Sequence, residues 1–320
     1  MMHRIGAALE RAGCECAYSP FYADGLVGAA ARRGWLDFTI LGGQARARSI
    51  DYLRRSELPT DIGGAGWYDL VVTGTDVYLP ANVRGRPLVL VQEGMFDPET
   101  WRYHLTRRLG PLRALANTAS TGLSRAYSRF CVASEGFKDL VVAKGCHPDR
   151  VVVTGIPNFD DCSSFLDNDL AMRRYVLAAT SSLRETGKAE DRVAFLVRAR
   201  GLAEERRKPL VVKLHPNERH DRAAREVRIA APEATLLTEG NTDHLIANCD
   251  TLVTRYSSVV LVAAALDKEV VSDIDPELLR RLTPVQNGGR SAELIAAECL
   301  EVLDGERTAD APARRTRALS

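Results

Sequence analysis

The sequence predicts an α/β protein made of two doubly wound domains, and three observations support this prediction. Short runs rich in Val, Leu and Ile alternate with helix-like segments along almost the whole chain. Most of these runs are continuously apolar, which is typical of parallel strands covered on both faces. The length of 320 residues suits two domains of about 150 residues better than one.

The predicted strands fall into two series that are separated by a polar stretch. The first series comprises residues 15–19, 36–41, 69–73, 88–92, 129–132 and 151–154. The second series comprises residues 175–179, 210–214, 234–238, 251–254 and 269–273. Helix-like segments between and after them include residues 191–206, 219–229 and 292–303.

The polar stretch near residues 157–170 suggests where the two domains divide. We expect a first Rossmann-like domain over residues 1–163, a second over residues 164–304 and a flexible tail over residues 305–320. The chain opens on a helix-like segment, whereas a doubly wound domain opens on a central strand, so the first strand is expected to be missing. Two such domains would bind a ligand in a cleft at the carboxyl ends of their strands.

The composition excludes several classes of protein. Hydrophobic residues make up 45% of the chain and charged residues 27%, which rules out a disordered chain and a small disulfide scaffold. The 43 Lys and Arg residues nearly balance the 42 Asp and Glu residues, so no overall positive field attracts nucleic acid.

The cysteines and the apolar runs indicate a cytoplasmic location. The seven cysteines are odd in number and scattered, which favours buried thiols over disulfides, although a metal or redox role for Cys14 and Cys16 stays open. The amino-terminal segment lacks the apolar core of a signal peptide. The longest apolar run, residues 259–266, is too short to span a bilayer.

Two candidate catalytic residues follow predicted strands. Glu93 and Gly94 follow residues 88–92, where a glycine turn would leave a carboxylate able to accept a proton from an acceptor hydroxyl. His215 follows residues 210–214 and precedes a proline, so its imidazole could protonate or hydrogen-bond a leaving phosphate. The alternatives are a solvated Glu beside a turn and a His that only ends a strand.

Hydroxyl-bearing residues follow two other predicted strands. Ser257 and Ser258 open an apolar helix, where hydroxyl and N–H groups could bind phosphate or could simply cap the helix. Thr180, Ser181, Ser182 and Arg184 form a turn that could bind a diphosphate or could be an ordinary polar loop.

The order of these motifs resembles the GT-B superfamily of nucleotide-sugar enzymes. Gln92-Glu93-Gly94, His215-Pro216 and Ser257-Ser258 are similar to the acidic-acidic-Gly, His-Pro and Ser-Ser motifs of bacterial sialyltransferases and related capsule and teichoic-acid transferases. This resemblance implies that Glu93 is the catalytic base, that His215 assists the leaving phosphate and that the serines bind it. The first acidic position is Gln92 here.

The chain also resembles the non-hydrolysing UDP-N-acetylglucosamine 2-epimerases, over residues 65–275. The segment that ends in Asp76 resembles their strand ending in Gly-Asp, and Glu93-Gly94-Met95 stands where they carry Glu-Ala-Gly. This resemblance implies catalytic roles for Asp76, Glu93 and His215. The helix after Ser258 lacks the ribose-binding Glu of the epimerases and of many nucleotide-sugar transferases, and Ser257-Ser258 replaces the epimerases' double glycine.

These departures favour a glycosyltransferase with two GT-B-like, Rossmann-like domains that face each other across a cleft. The transferase would move a sugar from a nucleotide-activated donor to a glycan or other acceptor in bacterial surface polysaccharide or glycoconjugate synthesis. It would need neither a cofactor nor a metal, and Asp273 and Asp275 are the nearest candidates for a metal site. A 2-epimerase is the alternative, and a nucleotide- or sugar-binding protein without turnover is the second.

The segment 101–129 carries no acidic residue. Its arginines are Arg102, Arg107, Arg108, Arg113, Arg125 and Arg129. Such a segment could receive an anionic acceptor or contact an anionic membrane surface, or it could be an ordinary solvated face.

Overall fold

The computed structural model describes residues 1–37, 39, 41–97, 99, 103–104, 118–184 and 189–317. The chain forms two compact units. Unit 1 comprises Met1–Val132, Lys138–Asn158 and Arg290–Ser320, and unit 2 comprises Ala133–Phe137 and Phe159–Gly289. The change of unit falls at residues 158 and 159, whereas the sequence suggested residues 163 and 164.

The helices and strands follow the predicted β-α repetition. The first part of the chain contains α1 (Met2–Arg11), α2 (Gly25–Arg32), α3 (Gly43–Arg55), β1 (Val71–Thr73), β2 (Leu88–Val91), β3 (Arg129–Val132), α4 (Glu135–Lys144) and β4 (Val151–Val153). The second part contains β5 (Val176–Ala179), α5 (Arg192–Arg206), β6 (Leu210–Lys213), α6 (His220–Ala230), β7 (Thr235–Leu237), α7 (Thr242–Asn248), β8 (Thr251–Val253), α8 (Val259–Ala265), β9 (Glu269–Val271), α9 (Pro276–Leu282) and α10 (Ser291–Arg317).

Unit 1 contains a parallel four-stranded sheet in the order β1-β2-β3-β4. All four residues of β2 are buried, as its continuous apolar sequence predicts. The strands predicted at residues 15–19 and 36–41 are wrong. Tyr18 makes only an isolated bridge to Thr60, and the described residues of 36–41 form turns. Residues 15, 17 and 19 are exposed, so they lack the two-sided cover that a central parallel strand requires.

The last helix belongs to unit 1 although it follows unit 2 in sequence. Arg11 of α1 pairs with Glu293 at 2.6 Å, and Arg129 of β3 pairs with Glu298 at 3.1 Å. Cys299 on α10 is fully buried. These contacts explain why α10 joins the first unit, and the helix continues through residues 305–317, for which the sequence suggested a tail.

Unit 2 contains a parallel five-stranded sheet in the order β7-β6-β5-β8-β9. This is the order of a doubly wound Rossmann-like sheet, and the chain reverses direction across the sheet between β5 and β8. The hydroxyl of Thr254, just after β8, donates to the carbonyl of Ala179 at the end of β5 at 2.9 Å. The five strands predicted here are confirmed to within two residues.

The start, the buried face and the end of helix α5 in unit 2 are each explained by the local sequence. The side chain of Asp191 accepts the N–H of Ala194 and caps the start of the helix. Phe195, Leu196 and Ala199 are buried on one face, which packs into the core of the unit. Arg207 adopts a left-handed conformation, with φ of 52°, and ends the helix.

Two further expectations concern the cysteines and the membrane. The seven cysteines are free thiols; five are buried, and Cys14 and Cys16 are half-buried. Among the helices within the described ranges, none combines the length and apolar character needed to cross a membrane.

We predict that Leu177→Ala destabilises the protein. Leu177 lies in the central strand β5 and is fully buried, so the substitution removes apolar contacts and leaves a cavity. The free energy of unfolding should fall by about 2–5 kcal/mol in urea denaturation. Ile229→Ala, at a side chain that is 74% exposed, is the matched control and should change it by less than about 0.5 kcal/mol. Equal losses in both variants would contradict the assigned core.

Candidate active site

In unit 1, Glu93 lies at the carboxyl edge of the sheet, beside the end of the neighbouring strand. It follows β2, and Gly74 follows β1, which pairs with β2 in parallel. A Cβ atom at position 74 would lie 2.5 Å from the carboxyl carbon of Glu93. Only glycine therefore permits the Glu93 side chain to pack over the end of β1.

Glu93 is exposed as a residue, while protein surrounds most of its carboxyl group. The residue as a whole is exposed, so a ligand can reach it. The protein around the carboxyl displaces bulk water, and this desolvation raises the pKa of Glu93 above its ordinary value near 4.5. An accessible carboxyl with a raised pKa has the properties of a general base.

Gln92 fixes the turn that carries Glu93. Its side chain is fully buried, and its amide nitrogen donates to the carbonyl of Gly94 at 2.8 Å. Gln92, which stands at the first acidic position of the sequence motif, is therefore a neutral residue that holds the turn by donating a hydrogen bond. A carboxylate at this position could not donate that hydrogen bond.

Asp76 has a different environment from Glu93. It is 3% exposed, and its two carboxylate oxygens accept the N–H groups of Gly122 at 2.7 Å and Ser124 at 3.1 Å. Burial raises the pKa of Asp76. These contacts join the loop after β1 to the turn before β3. The carboxylate of Asp76, a candidate catalytic group, therefore connects two loops of unit 1.

In unit 2, the imidazole of His215 is oriented by a local hydrogen bond. The backbone N–H of Asn217 donates to Nδ1 of His215 at 3.1 Å. The neutral ring therefore carries its proton on Nε2, the nitrogen that can donate to a ligand. The backbone N–H of His215 donates to the hydroxyl of Thr180 and to the carboxylate of Glu218, both at 3.0 Å.

The turn after β5 is less open than the sequence suggested. Thr180 is buried, and its hydroxyl donates to Glu218. Arg184 makes a two-pronged ion pair with Glu226 at 2.6 and 2.8 Å, which lowers the pKa of Glu226. Thr180 and Arg184, both predicted phosphate ligands, thus already bind carboxylates of the protein. The fold places these carboxylates beside them, although they are distant in sequence.

Ser181 and Ser182 in the same turn differ from their neighbours. The hydroxyl of Ser181 is buried and makes no hydrogen bond within the described parts of the chain. Ser182 is half-buried. A polar ligand at this turn could supply the missing partner of the Ser181 hydroxyl.

Ser257 and Ser258 lie after β8, on the other side of the point where the strand order reverses. Both are half-buried, and Ser258 occupies the cap position of α8 without a side-chain capping hydrogen bond. Helix capping by the hydroxyl therefore does not explain this serine. Ligands of open α/β sheets bind at such reversal points.

A polar groove of about 560 Å³ lies in unit 2. Its charged lining residues are Arg184, Glu190, Asp191, Arg192, Glu226 and Arg255. Several of these charges are paired within the protein, including Arg255 with Asp273. Sequence reasoning missed Glu190, Arg192, Glu218 and Glu226, because their partners lie on other elements and no local motif marks them.

The remaining candidates have contacts of their own. Asp273 pairs with Arg255, and Asp275 caps α9 by accepting the N–H of Leu278. Within the described ranges, no group of three or more potential metal ligands is found. Most of the basic segment 101–129 lies outside the described residues; of its described arginines, Arg125 donates to the carbonyl of Gly145 and Arg129 pairs with Glu298.

Comparison with known proteins gives matches in structure only. No protein-family model matches the chain, and no curated protein matches its sequence. The co-structure of S. aureus MnaA with UDP matches with a TM-score of 0.52 and 11% identity, over 92% of this chain and 90% of that chain. A UDP-N-acetylglucosamine 2-epimerase described as putative, from Listeria monocytogenes, matches with a TM-score of 0.50 and 16% identity, over 95% and 84%.

A variant of the wall teichoic acid polymerase TagF also matches, with a TM-score of 0.48 and 11% identity over 78% of each chain. At these identities the matches establish the fold alone. The two matches with TM-scores of 0.50 and 0.52 agree with the parallel sheets of the two units and confirm the predicted α/β fold class. In its fold, the chain is similar to these MnaA and 2-epimerase structures.

Proposed function

We propose that this protein is a GT-B-type glycosyltransferase that transfers a sugar from a nucleotide-activated donor to a glycan or other acceptor. The observation that carries the proposal is the exposed residue Glu93 at the carboxyl edge of the sheet, whose carboxyl packs over Gly74 and has a raised pKa. A base of this kind suits deprotonation of an acceptor hydroxyl. Synthesis of bacterial surface polysaccharides or glycoconjugates is the proposed context.

The environment of Asp76 favours a transferase over a 2-epimerase. The epimerase alternative assigns a catalytic role to Asp76 as well as to Glu93 and His215. Asp76 is buried, and both of its carboxylate oxygens accept backbone N–H groups. A transferase needs one base on the acceptor side, and Glu93 is sufficient for that role.

In the proposed mechanism, Glu93 takes the proton of the acceptor hydroxyl while the sugar leaves the nucleotide. The proton on Nε2 of His215 offsets the negative charge that develops on the departing phosphate. The hydroxyls of Ser257, Ser258, Ser181 and Ser182 are the proposed phosphate ligands. No metal, cofactor or direct contact with Arg184 is required, because hydroxyl and N–H groups can bind the phosphate oxygens.

Two parts of the proposal concern the acceptor. An anionic acceptor would suit the arginines of the segment 101–129, and so would peripheral contact with an anionic membrane. Both remain predictions from the sequence. Nucleotide binding at the donor site in unit 2 can be tested without knowing the acceptor.

We predict that one nucleotide among CMP, CDP, UDP, GDP and TDP stabilises the protein against thermal unfolding. At 100 times its dissociation constant, a bound nucleotide should add about 2.7 kcal/mol and raise Tm by roughly 5–10 °C. His215→Asn should reduce this shift if the imidazole contacts the phosphate. The absence of a shift with any of the five nucleotides would count against the proposed donor site.

We predict that Glu93→Gln abolishes turnover and leaves nucleotide binding intact. Loss of a general base should lower kcat/KM by about 10²–10⁴-fold. Because desolvation raises the pKa of Glu93, the wild-type enzyme should lose activity on acidification at a pH above the ordinary Glu value near 4.5. Glu15→Gln, at an exposed position in unit 1, is the control and should behave as wild type. A fully active Glu93→Gln enzyme would show that Glu93 is not the catalytic base.

We predict that no nucleotide sugar is converted when it is supplied alone, apart from slow hydrolysis. A transferase releases its nucleotide at a useful rate only when the acceptor takes the sugar. Proton NMR of each nucleotide sugar incubated with the protein would detect inversion at C2. Appearance of the C2 epimer would identify a 2-epimerase and overturn the transferase proposal.

A further inference from the structure

A buried carboxylate lies directly behind the His-Pro turn. Glu218 stands three residues after His215, and its side chain is 1% exposed. Desolvation of an ionised carboxylate is costly unless polar groups surround it. The hydrogen bonds and the ion pair of Glu218 therefore show which groups the buried carboxylate holds in place.

The carboxylate of Glu218 joins two segments that follow neighbouring strands. Its Oε2 accepts the backbone N–H of His215 at 3.0 Å and the hydroxyl of Thr180. The same hydroxyl accepts the N–H of His215 at 3.0 Å. Glu218 and Thr180 thus share the backbone N–H of His215 as acceptors, and they link the turn after β6 to the turn after β5.

The charge of Glu218 is balanced from the start of α5. Arg192, with a side chain that is 1% exposed, pairs with Oε1 of Glu218 at 2.6 Å and with Glu190 at 2.8 Å. The same guanidinium donates to the carbonyl of Ser181 at 2.8 Å. Arg184 lies 3.8 Å from Glu190 and supplies a second positive charge to the cluster.

We propose that Glu218 is a positioning residue for His215. By holding the backbone N–H of His215, Glu218 keeps the turn in the conformation in which Asn217 donates to Nδ1, and the proton of the imidazole therefore stays on Nε2. Arg192 and Thr180 complete the support. This inference rests on the proposed function of His215 as the group that meets the leaving phosphate.

A purely structural role for Glu218 makes a different prediction. In that case, loss of the carboxylate would change the stability of unit 2 and leave the tautomer of His215 as it is. The tautomer can be measured directly in the ligand-free protein by two-bond ¹H–¹⁵N correlation NMR with ¹⁵N-labelled histidine. The protein has six histidines, and His215→Asn assigns the signal by its loss.

The test compares Glu218→Ala with Glu218→Gln in the full-length chain. In the Glu218→Ala variant, His215 should lose its preference for the Nε2–H tautomer. The value of kcat should fall by about 10²-fold, with a much smaller change in KM for the donor. Glu218→Gln should restore the tautomer preference in part, because its amide oxygen can accept the same two hydrogen bonds, but its amide nitrogen replaces the oxygen that pairs with Arg192 and should lower the stability of the protein. Glu204→Ala removes a carboxylate that is 68% exposed on α5 and should match the wild type.

The outcomes separate the two proposals. A folded Glu218→Ala protein with the wild-type tautomer and kcat would overturn the positioning role. If Glu218→Ala does not fold, Glu218→Met, which nearly keeps the volume of the side chain but removes both acceptor oxygens, takes its place, and an unchanged tautomer would again overturn the positioning role. Titration of the wild type with inorganic pyrophosphate should shift the His215 Nε2–H signal. No shift would count against the phosphate role of His215, whereas the tautomer result tests Glu218 independently.

Discussion

The parallel arrangement of the strands is the constraint on which the candidate residues of each unit depend. All nine described strands pair in parallel, so in each sheet the carboxyl ends lie along one edge. Side chains that directly follow different strands are therefore brought together. This explains why Gly74 meets Glu93 in unit 1 and why Thr180 meets His215 in unit 2. The reversal of strand order in the second sheet leaves its edge open between β5 and β8.

The two units prepare their functional groups by different physical means. In unit 1 a carboxyl is kept reachable by solvent while the protein around it raises its pKa, and the neutral side chain of Gln92 shapes the turn. In unit 2 a buried cluster of Glu190, Arg192 and Glu218 holds the His-Pro turn through the hydrogen bond from the His215 N–H to Glu218. Breaking one member of such a cluster leaves an unpaired buried charge, which is why Arg192, Glu190 and Glu218 depend on one another.

Opposite environments distinguish the two acidic residues that follow β1 and β2. Asp76 and Glu93 have similar sequence contexts, since each follows an apolar strand and a short turn. Backbone N–H groups donate to both carboxylate oxygens of Asp76, which is buried, whereas Glu93 is an exposed residue. Fold similarity to 2-epimerases does not decide between the activities, because one fold supports different chemistries at the same strand ends. The proposal of a transferase therefore rests on the different environments of Asp76 and Glu93.

The sequence by itself determined the fold class, nine of the eleven predicted strands and the positions of Glu93, His215 and the serines after their strands. Continuous apolar runs and the residues that end them are local signals, so they can be read without the fold. The tertiary structure alone decided that residues 15–19 form no strand, that α10 joins unit 1 and that Asp76 and Arg184 are engaged internally. It also revealed Glu218, because its partners Thr180 and Arg192 are 38 and 26 residues away along the chain, and such pairs leave no local pattern.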